Sequence, residues 1–123
     1  MELKRVIVKP SDKDRFELMQ DYEFYLPCLN AKIEKGFKSN GANIPRLFWS
    51  IYPPNKPEYL SAVVIHDFLC EKAKTREDYR LADLALREAM KALNCNGFKV
   101  FVFYHSCNAY HSVKCWLKKV LGL

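Results

Sequence analysis

A histidine and an aspartate stand side by side at His66–Asp67, and a second acid, Asp83, follows on the next helical stretch. An aspartate that accepts from one ring nitrogen of a histidine fixes its tautomer. The other nitrogen is then a base, able to take a proton from water or a nucleophile. With His66 as base and Asp83 as its orienter, the chemistry is that of a hydrolase. Asp67 points about 100° away on a helix, where it is placed to bind a cation such as Ca²⁺.

The positions of these residues follow from apolar periodicity. From Glu58 onward, Tyr59, Val63, His66, Cys70 and Ala73 form one stripe of a helix that starts after Pro57 and spans 58–74. Thr75 is an N-cap with Asp78 at the third helical position, opening a helix over 75–95. Its stripe is Tyr79, Asp83, Leu86, Met90 and Leu93, so an acid takes a central apolar place. Two antiparallel helices joined by a short turn bring these stripes together, and a carboxylate among Leu86, Met90 and Tyr79 needs a partner against desolvation. His66 is that partner by pattern. The same pair can also be a polar tie that keeps two helices in register without turnover.

The segments around the helical pair complete an α+β class. Val6–Val8, Arg15–Leu18, Tyr22–Leu26 and Ala31–Lys35 are β-branched or aromatic and partly alternating, separated by Pro, Asp and Asn. They predict short antiparallel strands over 1–35, packed on the antiparallel helical pair and a C-terminal helix. The segment 36–57 is too rich in Gly, Pro and Asn for a long helix and too aromatic for a solvent loop. It is expected to lie against the body of the domain and to line the site. Within it Gly41, Asn43, Arg46 and Trp49 are the candidate substrate-binding residues. Arg46 can hold phosphate, stack on a ring, or pair Asp67 or Asp83. The segment 98–121 alternates at Phe98, Val100 and Val102, then places Tyr104, Cys107, His111, Cys115 and Lys118 on one line; strand or helix is open at its start, and mainly helix is expected overall. No internal repeat is present.

The chain has 123 residues, 50% hydrophobic and 28% charged, with four glycines; this fits one domain over 1–123 with its own core and excludes a disordered composition. No apolar run reaches the roughly 18 to 20 residues of a membrane span, and Val6–Val8 is too short for a signal sequence. The expected location is the cytoplasm of a host cell or a virion. Five cysteines, an odd number with no CxxC pair, read as reduced thiols, most of them small core residues. A net charge of +6 favours an anionic partner: a lipid surface, an envelope component, a phosphate-rich ligand or nucleic acid. His105 and His111 with Cys107 and Cys115 either form a metal site or are half-buried helix positions. Tyr104, Tyr110 and Trp116 among Lys114, Lys118 and Lys119 fit a membrane or nucleic-acid surface, or a terminal helix packed on the sheet.

The stretches GFKSNGANIPRLFW at 36–49, AVVIHDFLC at 62–70 and ADLALREAM at 82–90, in this order, resemble a domain-of-unknown-function family of tailed phages, prophages and bacteria, over roughly residues 16–115. That resemblance implies a phage- or prophage-type protein and carries no activity with it. The family usually has Asp-Gly-Ala-Ser where this chain has Asn40-Gly41-Ala42-Asn43, and an aromatic residue at Cys70. If the missing acid is a metal ligand in relatives, metal binding here is weakened or must use the Asn40 carbonyl oxygen instead.

A Gly-containing loop followed by His-Asp on one helix and Asp on the next is also similar in pattern to secreted and parvoviral phospholipases A2. Carried over by position, that likeness makes His66 the base, Asp67 a Ca²⁺ ligand and Asp83 the orienter. The glycine-rich calcium loop is not matched beyond Gly41, and the aromatic partner after His-Asp is missing. Two functions are therefore expected. One is hydrolysis of a lipid or cell-envelope ester. The alternative is a non-enzymatic virion or host-factor-binding protein in which His66–Asp83 is a structural tie.

Overall fold

The computed structural model describes residues 3–11, 15–39 and 56–122. Among these residues five short strands, β1 (Val8–Pro10), β2 (Phe16–Leu18), β3 (Tyr22–Tyr25), β4 (Asn30–Ile33) and β5 (Lys38–Ser39), precede three helices, α1 (Leu60–Lys72), α2 (Arg76–Ala92) and α3 (Gly97–Leu121). All pairings are antiparallel: β2 lies between β1 and β5, and β3 pairs with β4 as a separate ribbon. This is the expected α+β arrangement of N-terminal strands, an antiparallel helical pair and a C-terminal helix.

The strands differ from the sequence reading at their ends, for identifiable reasons. The first lies at Val8–Pro10 rather than 6–8, because the Val6 N–H donates to Ser61 Oγ at 3.0 Å and so docks that residue on α1. Pro10 is tolerated because β1 is an edge strand. The fourth strand ends at Ile33, two residues early. The chain then turns through Gly36, whose φ of +94° suits a residue without Cβ, and Gly36 N–H donates to the Leu18 carbonyl. Lys38 and Ser39, assigned from sequence to a packed loop, instead extend the sheet opposite Glu17 and Phe16. The remainder of that loop, residues 40–55, lies outside the described residues.

α1 is the buried centre. Eight of its thirteen residues are buried, including Ser61, Ala62, Val64, Ile65 and Asp67 beyond the predicted stripe. A helix apolar nearly all round must be covered on several sides. α2 covers one face and β5 touches another, while Leu18, Phe24 and Ile33 from the strands share its core with Leu86, Met90 and Phe103.

α2 follows the sequence closely. Thr75 Oγ1 accepts from Asp78 N–H at 3.2 Å, and Asp78 Oδ2 accepts from the N–H groups of Thr75 and Lys74 at 3.1 and 3.0 Å, a complete capping box. Those backbone hydrogen bonds hold the Asp78 carboxyl below its ordinary value. All five residues of the predicted stripe are buried. The helix ends at Ala92, slightly before the expected limit, where Asn94 takes a left-handed φ of 61°.

The undecided start of the last segment is helical. Asn96 caps α3 by accepting from Phe98 N–H at 2.7 Å, and Val100, Phe103, Cys107 and His111 face inward at helical spacing while Phe98 and Phe101 are exposed. α3 packs chiefly on α2 rather than on a sheet. Arg76 locks this contact from the first turn of α2, its Nη2 donating to Asn108 Oδ1 at 2.7 Å and Ser112 Oγ at 2.6 Å. No helix among the described residues is long and apolar enough to cross a membrane.

Candidate active site at His66, Asp83 and His111

Each helix contributes one polar side chain to a common point in the core. His66 Nε2 lies 2.8 Å from Asp83 Oδ1, and His111 Nδ1 lies 3.0 and 2.9 Å from the two oxygens of the same carboxylate. The side chains of all three have zero exposure. The two predicted stripes therefore do meet at His66 and Asp83, and a third residue joins them.

Burial alone would raise the Asp83 carboxyl, but hydrogen bonds from His111 and His66 outweigh it and hold the group below its ordinary value. An ionised carboxylate only accepts, so each imidazole must present N–H to it. His66 then carries its proton on Nε2, leaving the lone pair on Nδ1, which is buried and has no hydrogen-bond partner among the described residues. His111 carries its proton on Nδ1, leaving the lone pair on Nε2. Near that atom lies Cys70 Sγ, at 3.9 Å, and the same sulfur is 3.5 Å from His66 Nε2 one helical turn earlier. Burial pushes the Cys70 thiol well up, so it remains S–H and can donate to His111. Cys107, fully buried beside the cluster, is pushed up for the same reason. The Tyr79 ring covers His111 at a centroid distance of 4.5 Å.

Asp67 leaves the helix in a different direction. It is buried, and its Oδ2 accepts from Ser39 Oγ on β5. Ca²⁺ takes roughly six to eight oxygens. Ser39 supplies one oxygen beside the Asp67 carboxylate, and the predicted companion Asn40 lies outside the described residues. The proposed substrate residues Gly41, Asn43, Arg46 and Trp49 also lie outside the described residues. The grouping of His105, His111, Cys107 and Cys115 expected from sequence is split. His105 is exposed against Phe101, whereas His111 and Cys107 are buried, because six residues along a helix is far from a whole number of turns.

The role of His111 on Asp83 was not assigned from sequence. Two signals pointed there: the shared helical line of Cys107 and His111, and the capacity of a buried carboxylate to accept from more than one donor.

Residues 16–107 match the model of a family described as "Protein of unknown function (DUF1353)", and the chain belongs to that family. A curated relative, "Uncharacterized protein y4jT" of Sinorhizobium fredii, is 36% identical over 98 residues, which cover 77% of this chain and 28% of that protein. The chain thus spans under a third of that relative's length. No solved structure matches it.

Proposed function

We propose that this chain is a small phage- or prophage-type hydrolase in which His66 Nδ1 is the general base and Asp83 its orienter, acting on an ester of an anionic lipid or cell-envelope component. The observation that carries this reading is the Nδ1 of His66: a buried imidazole nitrogen with a lone pair, opposite a nitrogen fixed by a carboxylate, and without a partner among the described residues. In the reaction, Nδ1 takes a proton from water as the oxygen attacks the ester carbonyl carbon. The tetrahedral intermediate then breaks its bond to the alkoxy oxygen, and the imidazolium returns the proton to the departing alcohol. Asp83 stabilises the transient positive charge through Nε2–H. The net charge of +6 supports an anionic substrate. Ser39, bonded to Asp67, leads the chain into segment 40–55 from a point beside the helical turn that carries His66.

The test is turnover of a panel of phospholipid and carboxylic ester substrates, with and without Ca²⁺, by the parent and by folded His66→Ala and Asp83→Asn variants. Activity in the parent that both variants lose supports the dyad. A parent with no turnover on any substrate, and variants that lose only stability, overturn it.

A second reading is favoured by the zero exposure of His66, Asp83 and His111. In it the cluster is a structural tie, and the protein is a non-enzymatic virion or host-factor-binding protein. Its binding surface would be the exposed α3 face with Tyr110, Trp116, Lys118 and Lys119. Nucleic acid is a further anionic partner that this face can be tested against.

A further inference from the structure

The same cluster contains a second arrangement that the base chemistry does not use. His66, Cys70 and His111 converge from two helices, each offering a ligand atom within 4.8 Å of the other two. The sulfur is 3.5 Å from one nitrogen and 3.9 Å from the other. Tetrahedral zinc, with bonds of about 2.3 Å to sulfur and about 2.0 Å to nitrogen, places such atoms about 3.5 Å apart. The spacing fits such an ion, and the rearrangement required is at His66, whose Nε2 must exchange its 2.8 Å hydrogen bond to Asp83 Oδ1 for the metal.

The surroundings fit at His111. A metal-bound imidazole almost always gives its other N–H to a carboxylate or carbonyl, which fixes the ring and raises its basicity. His111 already does so, its Nδ1 lying against both oxygens of Asp83 and its Nε2 turned to Cys70. One thiolate with two imidazoles suits a borderline-soft ion such as Zn²⁺ or Co²⁺ and is unsuited to Ca²⁺.

We propose that His66, Cys70 and His111 form a buried binding site for a divalent transition metal of the zinc type, with Asp83 as the carboxylate that positions His111. Filling it changes the protonation of the cluster in a defined way. Cys70 loses its thiol proton to solvent, and the His66 proton passes from Nε2 to Nδ1 as the metal takes the Nε2 lone pair. The nitrogen that acts as base in the hydrolase reading then carries a proton. The metal-loaded and hydrolytically competent states exclude each other; that exclusion, unlike the site itself, rests on the hydrolase proposal.

Chelator-treated parent protein is titrated with Co²⁺, both after folding and during refolding, to allow for a sealed site. Expected is one equivalent bound, with intense visible bands of tetrahedral cobalt and a near-ultraviolet thiolate-to-cobalt band. Cys70→Ser loses the thiolate band, Cys28→Ser keeps it, and Asp83→Asn weakens binding by roughly 10- to 100-fold. X-ray absorption of the zinc-loaded parent needs no variant and should show one sulfur and two imidazole nitrogens. No tetrahedral cobalt by either route, a metal shell without sulfur, or a thiolate band that survives Cys70→Ser overturns the site.

Ester turnover is read separately. Metal binding with no turnover by the metal-free protein leaves the site standing and removes the hydrolase reading. Turnover that persists at full occupancy overturns the exclusion.

Discussion

His66 and Asp67 are neighbours in sequence, yet the two faces of α1 on which they stand are built differently. His66 looks toward α2 and α3, into a cluster of three side chains from three helices with zero exposure. Asp67 looks toward β5 and accepts from Ser39 at the end of that short strand. A His-Asp dipeptide reads as one functional unit in sequence. In the fold it is a division between a helical interior tied by three side chains and a junction with the sheet.

The largest test of that division lies on the helical side. Asp83→Ala strips the partner from two buried imidazoles at once and is expected to cost about 3–5 kcal/mol of stability in urea unfolding. A loss under about 1 kcal/mol would mean that the helical face is held by apolar packing alone. On the sheet side, Ser39→Ala is expected to cost close to 1 kcal/mol, because Asp67 has interactions beyond the serine. Equal losses on the two faces would erase the contrast.

Acid sharpens the same comparison. Asp83 is depressed in the folded state, so its contribution is fully present above the unfolded carboxylate value of about 3.9 and fades as pH falls through the lower folded value. Asp83→Asn should therefore flatten the acid limb of a stability-against-pH curve. Outside both faces, Thr75→Ala removes an N-cap and should lower stability by about 1 kcal/mol. The smallest effect is expected for Trp116→Ser on the exposed end of α3, within about 0.5 kcal/mol, read by thermal melting.

What was legible in the sequence follows the same physical lines. α2 was readable from its first residue to nearly its last, because one face is buried, the other is wet, and Thr75 and Asp78 mark its entry. The pairing of His66 with Asp83 followed from two stripes and one short turn. α1 was harder: a helix buried on most sides has no polar face to set the phase, so the burial of Ser61, Val64 and Asp67 did not show as a stripe. β5 escaped notice because two residues are too few to alternate. His111 could be placed on an inward line of α3, but which buried acid it would meet depends on how α3 crosses α2, and that is set by packing and by the Arg76 contacts far along the chain.

Those contacts have a consequence for the motion of α3. The last partly buried position of the helix is Cys115, three residues beyond the Ser112 oxygen held by Arg76, and every residue from Trp116 to Leu121 is exposed. The final six residues, all exposed, extend the helix by about 9 Å beyond that point. Amide hydrogen exchange should then divide the helix in two. Residues 116–121 exchange by local fraying, while Phe103–His111 exchange only when the three helices part. The slowest amides of α3 would thereby report on the opening that any substrate or metal ion needs in order to reach His66.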